Sequence, residues 1–183
     1  HILSPDYTGM LATVAGSLTG LGVDIHSGDT YTLGARPAPA VRKGPIARHR
    51  LRASEKPPLQ DRKLMVARLR VTCVESLTSS RETVFAVLGD RLRKFIAWRE
   101  ADKREEVRSA LNHAVADRLS LSRPSRLAAL SPVELDIDDE SDPLRTRLTI
   151  IGQDTPAFLY AIANALSLRR FNIDRVHIET HGT

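Results

Sequence analysis

The sequence predicts an α+β protein containing two copies of one short unit, and three observations lead there. Residues 4–25, "SPDYTGMLATVAGSLTGLGVDI", and 152–173, "GQDTPAFLYAIANALSLRRFNI", align without a gap at an offset of 148. In that register Asp6/Asp154, Leu11/Leu159, Ala15/Ala163, Leu18/Leu166, Ile25/Ile173, Thr32/Thr180 and Gly34/Gly182 are identical, while Met10/Phe158, Val14/Ile162 and Val23/Phe171 stay apolar. Each copy runs from a polar turn through apolar residues at helical spacing into a β-prone tail. A shared helical stripe alone would say little about duplication. Agreement of turn, helix face, strand and final glycine says much more.

The elements follow in order. "HILS" (1–4) reads as the end of a strand. Met10, Leu11, Val14, Ala15 and Leu18 then mark one apolar helix face, and Gly20 and Gly22 stop that helix because glycine leaves helical angles at little cost. "VDIHSGDTYTL" (23–33) is a strand rich in β-formers. Residues 35–62 carry five prolines (37, 39, 45, 57 and 58), many charges and no period, the pattern of a mobile insertion between strands. In 63–74, Met65, Ala67, Leu69, Val71 and Cys73 alternate with Arg68, Arg70 and Thr72, as in a strand with one buried face.

Ser79 and Ser80 are N-cap candidates for a long helix reaching about Leu119. Val84, Leu88, Leu92, Phe95 and Ile96 form its first apolar stripe; Val107, Leu111, Ala114, Val115 and Leu119 form a second. "WREADKREE" (98–106) between them reads as solvated. Unbroken, such a helix would extend ~60 Å at ~1.5 Å per residue, so a bend is expected within 97–106 or the far part packs elsewhere. The Ser- and Pro-bearing 120–132 is a linker. "VELDIDDES" (133–141) is an exposed strand, 143–152 another strand, and the second copy follows. Its helix is expected from Pro156, suited to the first helical position, to about Arg170, with a strand to Thr180.

Composition bounds the function classes. Hydrophobic residues are 42% of the chain but aromatics only 4%, so the core is aliphatic. The net charge is +5, yet residues 35–63 hold nine Lys/Arg against Glu55 and Asp61, so the basicity belongs to one segment. Cys73 is the single cysteine, which excludes an intrachain disulfide and a multi-cysteine metal site; in its apolar run it reads as a buried, inert thiol. No apolar stretch approaches the ~20 residues of a membrane span, and no secretory pattern opens the chain, so a cytoplasmic location without membrane contact is expected. Beginning at His1, without Met and inside an apolar run, the sequence reads as cut from a longer one.

The repeat resembles the ACT domain, a small regulatory module in which a turn of the type Asp-Arg-Pro-Gly-Leu-Leu precedes a helix and then Gly-Leu-Asn-Ile. "PDYTGMLATVAGSLTGLGVDI" is similar, with Thr8 where proline is usual and Gly9 retained. The second copy keeps Asp154 and Pro156, has Ala157 in place of the glycine, and sets Leu168 and Arg170 opposite Gly20 and Gly22. "SPVELDIDDESDPLRTRLTIIGQDTPAFL" is similar to the junction of the paired C-terminal ACT domains in bacterial nitrogen-signalling uridylyltransferases. Adenylyltransferases acting on glutamine synthetase lie in the same functional neighbourhood.

That resemblance implies a ferredoxin-like βαββαβ repeat with antiparallel sheets and helices on one face. Residues 1–138 would form the first domain and 139–183 the β-α-β first half of the second. In such a fold the third strand lies between the first and second, so the second copy would carry a slot to be filled by later chain or another subunit. The implied role is regulatory rather than catalytic, without a cofactor: sensing a small amino acid, glutamine being one candidate, and controlling a nucleotidyltransferase region of the parent protein. Pairing of the copies within one chain, or a homo-oligomer, is implied too. The implied ligand residues are Asp6, Tyr7, Thr8, Gly9 and Met10, with Asp154, Thr155, Pro156 and Ala157 in the second copy.

The physical reason is the helix start, whose first N–H groups lack internal partners and carry partial positive charge, suiting a carboxylate. Asp6 would take the ligand's ammonium group. The competing reading is that Asp6 and Asp154 simply cap helices. Three other classes fit less well. "GSLTGLGVDIH" (16–26) resembles a nucleotidyltransferase signature but has His26 where a second acid is needed, and "DID" (136–138) lacks the preceding Gly-Ser. His177 and His181 are four apart on a strand, where that spacing does not bring two metal ligands together. The basic 35–63 segment would attract nucleic acid but has no aromatic residue for stacking, which leaves contact with a protein surface as its better reading.

Overall fold

The computed structural model describes residues 1–34, 63–73, 80–121 and 132–180. They form β1 (Ile2–Pro5), α1 (Met10–Gly20), β2 (Val23–Leu33), β3 (Leu64–Cys73), α2 (Arg81–Glu100), α3 (Arg104–Leu121), β4 (Glu134–Asp138), β5 (Arg147–Ile151), α4 (Phe158–Leu168) and β6 (Arg175–Glu179). The fold is α+β. One sheet has the order β1-β3-β2-β6 and the other is the β4-β5 pair, with every pairing antiparallel. The 35–62 insertion, Ser79, most of the 120–132 linker and His181 lie outside the described residues.

Alternation along β3 places the sheet. Met65 and Ala67 are buried and Arg68, Arg70 and Thr72 exposed, as a one-faced strand requires. Cys73 is only half-buried, because it pairs with Val23 at the strand's end; the expectation of an enclosed thiol is corrected. Met10, Val14 and Leu18 of α1 pack on Val23, Met65 and Ala67 below and on Val84, Leu88 and Leu92 of α2 alongside. The opposite flank of α1, with Leu11 and Ala15, meets Phe95, Val107, Leu111 and Val115 together with Tyr160 and Ala163 of α4. Every residue from Met10 to Leu18 is buried, the polar Thr13 and Ser17 included, so α1 is enclosed on nearly all sides by its neighbours.

The long helix breaks where a bend is expected. Ser80 caps α2 by accepting from the Thr83 amide at 3.3 Å. The far end closes at Ala101–Lys103, with Asp102 left-handed (φ 59°) and the Lys103 amide donating to Trp98 O at 2.9 Å. α3 then folds back over α1. Trp98 and Arg99, read as solvated, are half-buried at this bend. α4 starts at Phe158, two residues later than Pro156 would place it. The reason is Ala157, whose left-handed backbone (φ 67°) precedes the helix as Gly9 (φ 97°) precedes α1, leaving Pro156 in the turn.

The two β-α-β halves face each other through β2 and β6. Asp29 lies opposite His177, its own equivalent at the offset of 148, while Ser27 lies opposite Glu179 and Tyr31 opposite Arg175. Exchanging the halves maps this register onto itself, so a local two-fold axis passes by Asp29 and His177. Other bonds obey it: Thr32 N donates to Asp174 O and Thr180 N to His26 O, both at 2.9 Å. The turn bonds Met10 N to Tyr7 O and Phe158 N to Thr155 O match, as do left-handed Gly22 and Arg170 at the helix ends. α1 and α4 touch closely, since a Cβ at Gly16 would stand 2.7 Å from the Tyr160 ring. β4, grouped with the first domain on the sequence, pairs with β5, and among the described residues neither strand joins the larger sheet.

Candidate ligand-binding turn

Asp6 to Gly9 leave β1, cross the end of the sheet and start α1. The Asp6 amide donates to Lys63 O at 2.8 Å, which pins the turn to the start of β3. Its carboxylate does not cap the helix. It accepts from Thr32 Oγ1 at 2.9 Å, bracing the turn against the last part of β2. In the second half Thr180 Oγ1 donates to Asp154 Oδ2 at 3.4 Å, the same bond at the offset of 148. Neither Gly9 nor Ala157, the residues at the N-cap positions, makes a side-chain cap bond. The capping reading of both aspartates is therefore corrected, and the helix starts keep their positive end free of side-chain caps.

Burial raises the Asp6 carboxyl above its ordinary value, while the Thr32 hydrogen bond and the Lys63 charge pull it back. Tyr7 turns back over the core cluster, its hydroxyl donating to Thr13 Oγ1 at 3.3 Å, and burial pushes its phenol up. Arg99, from the last turn of α2, reaches the same turn. Its Nη2 donates to Thr8 O at 3.0 Å and its guanidinium carbon stands 4.9 Å from the Tyr7 ring centre, in cation–π range.

Behind the turn is a cavity lined by Asp6, Tyr7, Gly9, Met10, Leu11 and Ala12, with Thr30, Thr32 and Met65 from the sheet and Ala163 and Ile173 from the second half. The site thus straddles the seam between the halves. Its volume is ≈ 10 Å³, room for about one water molecule. Thr8, held by Arg99 on the outer side, is not part of that lining.

The nine residues singled out on the sequence do not converge. Thr155, Pro156 and Ala157 line a second, open groove of ≈ 450 Å³, whose other wall is Val115 and Leu119 of α3. Asp154 is exposed. Gly16 and Ser17 of the nucleotidyltransferase-like stretch are buried within α1. Thr32 was visible only as a repeat identity. Arg99 sat in a charged run with no signal of a contact. Ala163 and Ile173 carried no hint that they face the first turn. Among the described residues no cluster of three or more His, Cys, Asp or Glu has metal-ligand geometry, and no helix is long and apolar enough to cross a membrane. No protein-family model, curated protein or solved structure matches the chain.

Proposed function

We propose that the chain is a regulatory fragment built from two ACT-type units of ferredoxin-like plan, and that it senses a small amino acid at the Asp6 turn. The observation that carries this reading is the composition of the cavity wall: one half supplies a carboxylate and a helix start, and the other half supplies Ala163 and Ile173. An amino acid's ammonium group suits Asp6, and its carboxylate suits the uncapped start of α1. Glutamine is the first candidate, on the strength of the resemblance to nitrogen-signalling enzymes. On the same basis the regulated partner is a nucleotidyltransferase region of the parent protein.

Admitting a ligand requires the turn to move, because the cavity has room for about one water molecule. That requirement supports regulation, since a ligand shifts an equilibrium only by preferring one arrangement to another. Arg99 gives the movement a route outward, joining Thr8 and Tyr7 to the α2–α3 break. The second turn lacks a comparable enclosure and is assigned no ligand here. Calorimetry with glutamine and a panel of amino acids tests the reading. Binding that Asp6→Ala weakens at least about tenfold, the loss of roughly one charged hydrogen bond, supports it; binding that Asp6→Ala leaves unchanged removes Asp6 from the site.

A further inference from the structure

The two turns share one backbone form but meet different surroundings on their outer sides. In both, the residue before the helix is left-handed, Gly9 (φ 97°) and Ala157 (φ 67°). In both, the first helix amide bonds back across the turn, Met10 N to Tyr7 O at 2.9 Å and Phe158 N to Thr155 O at 3.0 Å. Thr155, Pro156 and Ala157 border the open groove. Tyr7 and Thr8 instead carry Arg99 of α2, whose Nη2 donates to Thr8 O at 3.0 Å and whose guanidinium carbon stands 4.9 Å from the Tyr7 ring centre. The second turn reaches the same form against a groove, so the arginine is not what shapes the first.

We infer that Arg99 is an autoinhibitory latch on the first turn: it holds Tyr7 to Gly9 shut over the cavity, and a ligand must displace it to enter. This rests on the reading of that turn as an amino-acid site. Tyr7 and Gly9 line the cavity and Thr8 O lies between them, whereas Arg99 is outside the lining and so presses on the wall without facing the ligand. Tyr7 passes the constraint inward. Its hydroxyl donates to Thr13 Oγ1 at 3.3 Å, and Thr13 Oγ1 donates to Gly9 O at 3.0 Å. One guanidinium thus fixes Thr8 O directly and reaches Gly9 O through two hydroxyls.

The latch does not open by losing its proton. Burial, and then the nearby charge of Arg104, lower the Arg99 value, but an arginine stays charged at any working pH. Competition for its contacts is what opens it. Arg99 belongs to the last turn of α2, just ahead of the break at Ala101–Lys103. Displacing it therefore unties the end of that helix. Opening of the turn and loosening of the α2–α3 break become one event, and each favours the other to the same degree.

Amide exchange on the whole chain without ligand, and calorimetry with glutamine and the amino-acid panel, test this. Arg99→Met keeps the aliphatic stem and drops the guanidinium. Arg91→Met makes the same change on the same helix, where Arg91 Nη1 donates to Ser17 O at 3.4 Å, towards the far end of α1. Arg99→Met is expected to speed exchange of the Met10 and Thr13 amides about tenfold, through loss of one charged hydrogen bond and a cation–π contact. Amino-acid binding should tighten by about the same factor, because a larger share of the unliganded chain is then open. Arg91→Met does neither, and Arg99→Lys, which keeps the charge but not the planar fork, gives the same changes in smaller measure. The inference is overturned if Arg99→Met leaves Met10 and Thr13 exchange unchanged, if Arg91→Met speeds it as much, or if Arg99→Met weakens binding. Absence of binding in every variant defeats the amino-acid reading instead, and exchange alone then decides the latch.

Discussion

Leu18 and Leu166 occupy the same place in the two halves, yet Leu18 is 2% exposed and Leu166 only half-buried. The helices have equivalent bounds and equivalent left-handed residues at each end. What differs is what packs around them. α1 rests on β3 and is flanked by α2, whereas α4 has neither counterpart among the described residues. Local backbone form is thus set by the turn and helix residues themselves. Burial, and with it most of the stability, is set by the elements that come after.

The comparison breaks first on truncation of the paired leucines. Leu18→Ala is expected to cost about 2–5 kcal/mol, as for other enclosed core leucines. Leu166→Ala should cost about 1 kcal/mol or less, because water already reaches that site. Urea unfolding of both variants decides; equal costs would mean that the two cores are closed alike.

The seam comes next. Gly16→Ala puts a methyl carbon 2.7 Å from the Tyr160 ring, so α1 and α4 must separate. A loss of about 1–3 kcal/mol is expected, and the Tyr160 hydroxyl bond to Asn112 Oδ1, 2.5 Å long, should loosen with it. Exchange and NMR shifts in α3 at Asn112 would register the change.

Smaller and opposite in sign is Arg170→Gly. Arg170 holds a left-handed backbone (φ 62°) where the first half has Gly22 (φ 70°). Relief of that strain, partly offset by the greater freedom of glycine when unfolded, should stabilise the protein by about 0.5–1 kcal/mol. A lowered melting temperature would show that the arginine side chain contributes more than the strain removes.

The weakest effect lies at the two-fold axis. His177 Nδ1 is 2.8 Å from Asp29 Oδ1, and this hydrogen bond, then the carboxylate charge, raises the imidazole above its ordinary 6.5. With the folded value raised, the contribution is complete below the unfolded value and disappears as pH climbs through the folded one. Both groups are exposed, so the effect on melting is small. Asp29→Asn should flatten the pH dependence of melting in the neutral range; an unchanged profile would assign it to another group.

Much of this fold was legible in the residues. The offset of 148 between Asp29 and His177 is the register in which Leu11 and Leu159, or Asp6 and Asp154, already agree in sequence. Alternation marked β3, and the charged stretch between two apolar stripes marked the α2–α3 break. Pairing across elements was not legible, because periodicity tells a strand its buried face and not its neighbour. So the pairing of β4 with β5 could not be foreseen, and Arg99 was taken for a solvated charge. Pro156 also misled, since proline suits the first position of a helix but here precedes the left-handed residue that starts one.

The central claim is that the Asp6 turn and the second half together form an amino-acid site. It is tested most directly by titrating the ¹⁵N-labelled chain with glutamine and following individual amides. The account predicts saturable shifts at Asp6 to Ala12 together with Ala163 and Ile173, weakening as pH falls through the raised Asp6 value, because the neutral acid no longer holds an ammonium group. Shifts confined to the Thr155–Ala157 groove, or no saturable shift with any amino acid, would contradict it.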